Sequence, residues 1–130
     1  MKRWTAWSAA ALLALVVVAL SAAPAGVAKD GDIRARGTCT GSTTSKIKLS
    51  EENGRIEVEF EVDQNRNGVP WRVTLSKNGR TVARLTRVTR GPSGSFEARI
   101  VTSNSVGADV LRGRAVSPSG EVCTARATFA

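Results

Sequence analysis

The chain has no histidine and no tyrosine among its 130 residues, only two cysteines, and an aromatic content of 5%. Without histidine there is no imidazole base, no Ser-His or Cys-His nucleophile pair and no His-containing metal site. Two cysteines cannot build a four-cysteine zinc site or an iron–sulfur cluster. Negative charge is also scarce, with 11 Asp+Glu against 19 Lys+Arg and a formal net charge of +8. These absences predict a protein that is not an enzyme and uses no cofactor.

One long apolar run is present, and it lies at the start. Lys2 and Arg3 precede an apolar stretch from Ser8 to Leu20, followed by small residues. That order is the pattern of a secretory leader, with Gly26 and Ala28 at the small-residue positions before a cut. The reading is a signal peptide over residues 1–28 and one secreted domain over 29–130, extracellular and in one version associated with the cell wall. An N-terminal membrane anchor is the alternative, although Ala6 to Ala23 barely spans ~30 Å of hydrocarbon. Without the leader the chain carries +6.

An exported chain with two cysteines is expected to join them, Cys39 to Cys123. Closing so long a loop is worth ~4–5 kcal/mol in the chain-entropy estimate.

After residue 29, period-2 alternation replaces helical periodicity. In the clearest stretch, Ile47 and Leu49 alternate with Lys46 and Lys48. Beyond Asn53-Gly54, Ile56, Val58, Phe60 and Val62 alternate with Glu57, Glu59, Glu61 and Asp63. A two-residue type I′ turn at Asn-Gly fixes a register that sets Leu49 against Val58 and Ile47 against Phe60. The same register sets Lys48 against Glu59 and Lys46 against Glu61. Further strands are expected over 33–39, 71–76, 81–89 with a bulge, 96–100, 109–116 and 123–129, with 102–108 as loop. Seven or eight short strands predict an all-β fold, an antiparallel β-sandwich of immunoglobulin or fibronectin type. A small β-barrel is the alternative.

Three patterns invite chemical readings. Asp63, Asn65, Asn67 and Gly68 match the first half of a calcium loop. Position twelve is Thr74 rather than a bidentate Glu, however, and Arg66 sits inside the loop. This weak calcium candidate competes with a plain polar hairpin connection. Glu57, Glu59 and Glu61 share a strand face, as paired carboxylates of a glycoside hydrolase would. Their lysine partners favour a solvated, charge-paired surface. The Ser103 to Gly107 segment could present a loop in the manner of a small protease inhibitor.

The charge is unevenly distributed. Residues 29–63 carry a net −2 and residues 64–130 a net +8. Between Gln64 and Phe96 stand Arg66, Arg72, Lys77, Arg80, Arg84, Arg87 and Arg90, with no acidic residue among them. Clustered guanidinium groups favour phosphates and carboxylates, so these seven are the anion-binding candidates. The partners they suggest are an anionic cell-wall polymer or lipid headgroups. Specific nucleic-acid binding is not expected, because Trp71 is the one aromatic available for stacking and its parity with Val73 and Leu75 places it in the core. The oligomeric state stays open.

The stretches TCTGSTTSKIKLS, NGRIEVEFEVDQNRNGVPWRVTL, GPSGSFEARI and SPSGEVCTA resemble a set of small secreted actinobacterial proteins of uncharacterised function. The resemblance runs over essentially all of residues 29–130. It implies a secreted single-domain protein with one disulfide and an immunoglobulin-like β fold. It brings no catalytic residues.

Overall fold

A computed structural model describes residues 31–130. The expected leader, its cut and the alternative anchor lie outside these residues. The described chain forms nine strands: β1 (Ile33–Arg36), β2 (Thr38–Cys39), β3 (Thr44–Glu52), β4 (Arg55–Asp63), β5 (Pro70–Lys77), β6 (Arg80–Val88), β7 (Ser95–Ser103), β8 (Asp109–Val116) and β9 (Val122–Phe129). They make two antiparallel sheets, one in the order β1-β3-β4-β7 and the other β2-β9-β8-β5-β6. The two sheets remain separate and each keeps two edge strands, as in a sandwich and unlike a closed barrel. Of the expected immunoglobulin or fibronectin type, the structure shows this two-sheet architecture. Counting β1 and β2 as one interrupted first strand, the next two strands, β3 and β4, are neighbours in one sheet, whereas the second and third strands of constant-type immunoglobulin domains lie in opposite sheets.

The β3–β4 hairpin has the expected register, with Leu49 opposite Val58, Ile47 opposite Phe60, Lys48 opposite Glu59 and Lys46 opposite Glu61. Asn53 and Gly54 supply the two positive φ angles, 50° and 77°, that a type I′ turn needs. Asn78 and Gly79, at 51° and 79°, do the same for β5–β6. The expected bulge in β6 is present as a register shift opposite Leu75/Ser76, where Val82 is the extra residue.

Alternation then builds the core. Ile47, Leu49, Ile56, Val58, Phe60 and Val62 of one sheet meet Trp71, Val73, Leu75, Leu111 and Ala115 of the other, all essentially inaccessible to water. Burying each of the larger side chains contributes roughly 1.5–3 kcal/mol. Trp71 satisfies its indole N–H by donating to Gln64 Oε1 at 3.1 Å, and its ring lies 6.2 Å from that of Phe96. Gly113 is the close-approach point between the sheets, since a Cβ there would overlap the Phe60 ring.

The stretch 33–39, expected as one strand, divides at Gly37. Residues before it pair with β3 in one sheet, and residues after it pair with β9 in the other. Sharing a parity on both sides hides the break in the sequence. Gly37 donates its N–H to Ser45 O at 2.8 Å, and any Cβ would overlap Ser45 Oγ and Thr124 O. Cys39 and Cys123 are directly opposed on β2 and β9, with Cα atoms 4.1 Å apart, and are disulfide-bonded. The strand expected to stop before Thr102 runs on to Ser103, because β7 pairs with β4 along its whole length.

Candidate functional site

The outward positions of the five-stranded sheet follow from its register. Trp71, Val73 and Leu75 point inward on β5, so Arg72, Thr74 and Ser76 point outward. On β8, Leu111, Gly113 and Ala115 are buried, leaving Arg112 and Arg114 outside. On β9, Cys123, Ala125 and Ala127 are buried, leaving Thr124 and Arg126 outside. Pairing aligns these residues into rows. Arg84, Thr74, Arg114, Thr124 and Thr38 lie side by side across all five strands, and Ser76, Arg112 and Arg126 form a neighbouring row. Thr38 Oγ1 and Thr124 Oγ1, 3.4 Å apart, share this surface.

The face therefore gathers Arg72, Arg84, Arg112, Arg114 and Arg126, all exposed, among threonines. No carboxylate stands on its outward strand positions, and none of the five arginines forms an ion pair among the described residues. Arg112 and Arg126 are direct cross-strand partners. Like charges placed opposite one another weaken a sheet, so folding alone gives no reason for the pair.

The seven basic residues singled out in the sequence are brought together only in part. Arg72 and Arg84 belong to the face. Arg66 and Arg90 are exposed in the loops 64–69 and 89–94. Arg80 and Arg87 lie on the edge strand β6, where charge and a bulge hinder pairing with another sheet. Lys77 turns to the inner side and forms an ion pair with the fully buried Asp109 at 3.8 Å. Arg112, Arg114 and Arg126 were missed because they stand outside the uninterrupted basic run. The signal that finds them is parity, since each alternates with a buried small or apolar residue.

The opposite face differs. Lys48 Nζ lies 2.9 Å from Glu59 and Lys46 Nζ 3.6 Å from Glu61. Arg99 bridges Glu57 at 2.6 Å and Glu52 at 3.1 Å. The hydrogen bond from Arg99 holds Glu57 down to about 2, assisted by Glu52. Glu52 is pushed above the usual carboxylate range by its contact with Glu57. Glu97 is also raised, first by burial and then by Glu59 and Glu61. A shallow groove of about 540 Å³ runs over this face, and cations as well as carboxylates line it. The three glutamates thus stand on a lysine- and arginine-paired sheet.

The loop holding Asp63, Asn65 and Asn67 carries the chain from one sheet to the other, so it is no hairpin connection. Asp63 Oδ1 accepts the Asn65 N–H at 3.2 Å. Buried Thr89 fastens the loop, donating its hydroxyl to Arg66 O and accepting the Val69 N–H at 3.0 Å. Position twelve of the calcium pattern, Thr74, lies on β5 in the middle of the arginine face. Among the described residues the one close group of cysteine and carboxylate ligands is Cys39, Glu121 and Cys123, whose sulfurs are joined to each other.

No family model matches this chain, and no curated protein or solved structure does either.

One polar cluster was not legible in the sequence. Asp109 is buried at one end of the sandwich, where its Oδ2 accepts the Ser105 N–H and its Oδ1 the Asn78 amide, both at 2.8 Å. Asn78 returns a carbonyl oxygen to the Val110 N–H at 2.8 Å. Lys77 Nζ donates to Ser103 O at 2.6 Å and to Ser103 Oγ at 2.8 Å. The Ser105 N–H, with Asn78 assisting, keeps the Asp109 carboxyl below its ordinary value against the opposing effect of burial. This network fastens the base of the 104–108 loop, whose tip, Val106, is fully exposed.

Proposed function

We propose that this chain is an exported, non-enzymatic binding module whose five-stranded face associates with an anionic polymer of the cell envelope. The observation that carries the reading is the convergence of Arg72, Arg84, Arg112, Arg114 and Arg126 on a carboxylate-free face. Guanidinium groups hold five donors in a planar fork and stay charged at any physiological pH, which suits phosphate, sulfate and carboxylate partners. The position outside the membrane rests on the leader pattern of residues 1–28. A polymer is favoured over nucleic acid because all four aromatic residues of the described chain, Phe60, Trp71, Phe96 and Phe129, are buried and unable to stack on bases.

Retention on immobilised dextran sulfate and polygalacturonate, eluted by a salt gradient, tests the reading. Binding should weaken steeply with ionic strength, because contacts between exposed charges are screened over ~8–10 Å. The pair Arg84→Glu with Arg114→Glu should abolish retention, while Arg66→Glu with Arg90→Glu, in the loops, should leave most of it. Equal losses from both pairs would reduce the effect to net charge, and no retention on either polymer would refute the proposal.

A further inference from the structure

The arginine face divides into two grooves of matching composition. One, of about 490 Å³, is lined by Arg72, Arg84 and Arg114 with Thr74 and Thr86. The other, of about 250 Å³, is lined by Arg36, Arg112 and Arg126 with Thr38 and Thr124. Each therefore offers three guanidinium groups and two hydroxyls, with no acidic residue in the lining. From the polymer-binding reading, on which this step rests, we infer that the face holds two separate subsites for tetrahedral oxyanions, a phosphodiester or a sulfate ester, spaced to engage successive groups of one polymer.

The first groove shows why the geometry favours a tetrahedral group. Arg84 and Arg114 flank Thr74 on the neighbouring strands β6 and β8, and Arg72 stands one pleat along β5 from Thr74. Strands lie ~4.8 Å apart and outward residues repeat every ~7 Å along a strand. Long side chains rooted at those three points approach a central anion from three directions. A planar carboxylate presents its two oxygens in one plane and is satisfied by a single bidentate fork. A phosphate or sulfate group offers oxygens in several directions and can take all three arginines and the threonine hydroxyl together.

The second groove is built differently and reaches a like result. Arg36 comes from the end of β1, just before the chain crosses between sheets at Gly37, while Arg112 and Arg126 face each other on β8 and β9. An oxyanion between Arg112 and Arg126 turns their mutual repulsion into shared attraction. Two strand spacings and one pleat separate Thr74 from Arg126, which places the subsites roughly 10–12 Å apart. Occupying both with one chain makes the second contact intramolecular, so affinity should rise far more than twofold with polymer length.

The experiment follows backbone and arginine side-chain NMR signals of the full chain during titration with sodium sulfate, sodium phosphate and sodium acetate at constant ionic strength. Sulfate and phosphate should shift two distinct groups of signals, one around Thr74 and one around Thr124, and acetate neither. Arg84→Ala with Arg114→Ala should erase the first group and spare the second, and Arg112→Ala with Arg126→Ala the reverse. Each pair should lower affinity for dextran sulfate or poly(glycerol phosphate) at least about tenfold. The stronger of these two polymers identifies the ester. Equal shifts with acetate, or one group of signals lost together in either variant, would overturn the two-subsite inference. Polymer retention without localised shifts would overturn it too while leaving the binding-module reading intact. Failure to bind any polymer would instead remove that broader reading.

Discussion

Reducing the disulfide in place is the cleanest test of what holds this domain together. Cys39 and Cys123 are 84 residues apart in the chain, so the bond closes nearly the whole described domain into one loop. Applied to a loop of that length, the chain-entropy relation gives about 4.5 kcal/mol at 25 °C. That is a large share of the roughly 5–15 kcal/mol available to a native domain. A native-state account predicts much less, because β2 contributes only two residue pairs to its sheet and little packing is lost if it detaches. Urea unfolding followed by circular dichroism, with and without a phosphine reductant, separates the two accounts. With a urea slope of about 1.5–2 kcal/mol per molar for a domain of this size, the midpoint should fall by roughly 2–3 M. Using unmodified cysteines avoids the additional cost of a cavity at Cys123, which is fully buried. A midpoint shift below about 0.5 M would refute the loop argument and confine the bond to pinning β2.

Three further outcomes follow from the packing and the charges. Gly37→Ala and Gly113→Ala should each destabilise by about 1–3 kcal/mol through overlap with Ser45 and Thr124 or with Phe60; Gly54→Ala, at an open turn with φ 77°, should cost about 1 kcal/mol from backbone conformation alone, and equal costs at all three would contradict the close-approach account. Asp109→Ala should speed amide exchange at Ser105 and Val110 far more than in β3 and β4, because it releases the base of the 104–108 loop; uniform acceleration would indicate global destabilisation instead. Because Glu57 is held down to about 2 in the folded protein, its contribution is complete above the ordinary glutamate value near 4.5 and is lost as pH falls between the two, so Glu57→Gln should flatten the acid limb of stability in that window; an unchanged limb would mean that the Arg99 contact contributes nothing in solution.

The β3–β4 hairpin was legible because three independent signals agree over a short span: an Asn-Gly turn, apolar parity and lysine–glutamate parity. The arginine face was only half legible. Parity in DVLRGRAV and VCTARATF already turns Arg112, Arg114 and Arg126 away from the core, yet the contiguous basic run from Arg66 to Arg90 draws attention to residues that point in several directions. What no local pattern contains is the alignment of Arg84, Thr74 and Arg114, since that depends on β5 lying between β6 and a strand more than thirty residues further on. Gly37 was hidden for the same reason, because the atoms that exclude a side chain there belong to Ser45 and Thr124. The buried Lys77–Asp109 pair likewise joins residues with no common sequence pattern.

The strand that changes sheets at Gly37 and then reaches Cys39 also sets how the domain responds to mechanical load. Tension reaching β1 from its N-terminal side can peel its pairs from β3 one at a time. It then arrives at the disulfide and passes directly into β9 at Cys123. Among the described residues only 31–39 and 123–130 can then be drawn out, at most roughly 60 Å of extended chain. Everything from Thr40 to Val122, including β5, β6 and β8 of the arginine face, lies off the path of the force. While the disulfide is intact that stretch cannot be extended, although drawing out β9 takes Thr124 and Arg126 away from the arginine face and strips β8 of one partner.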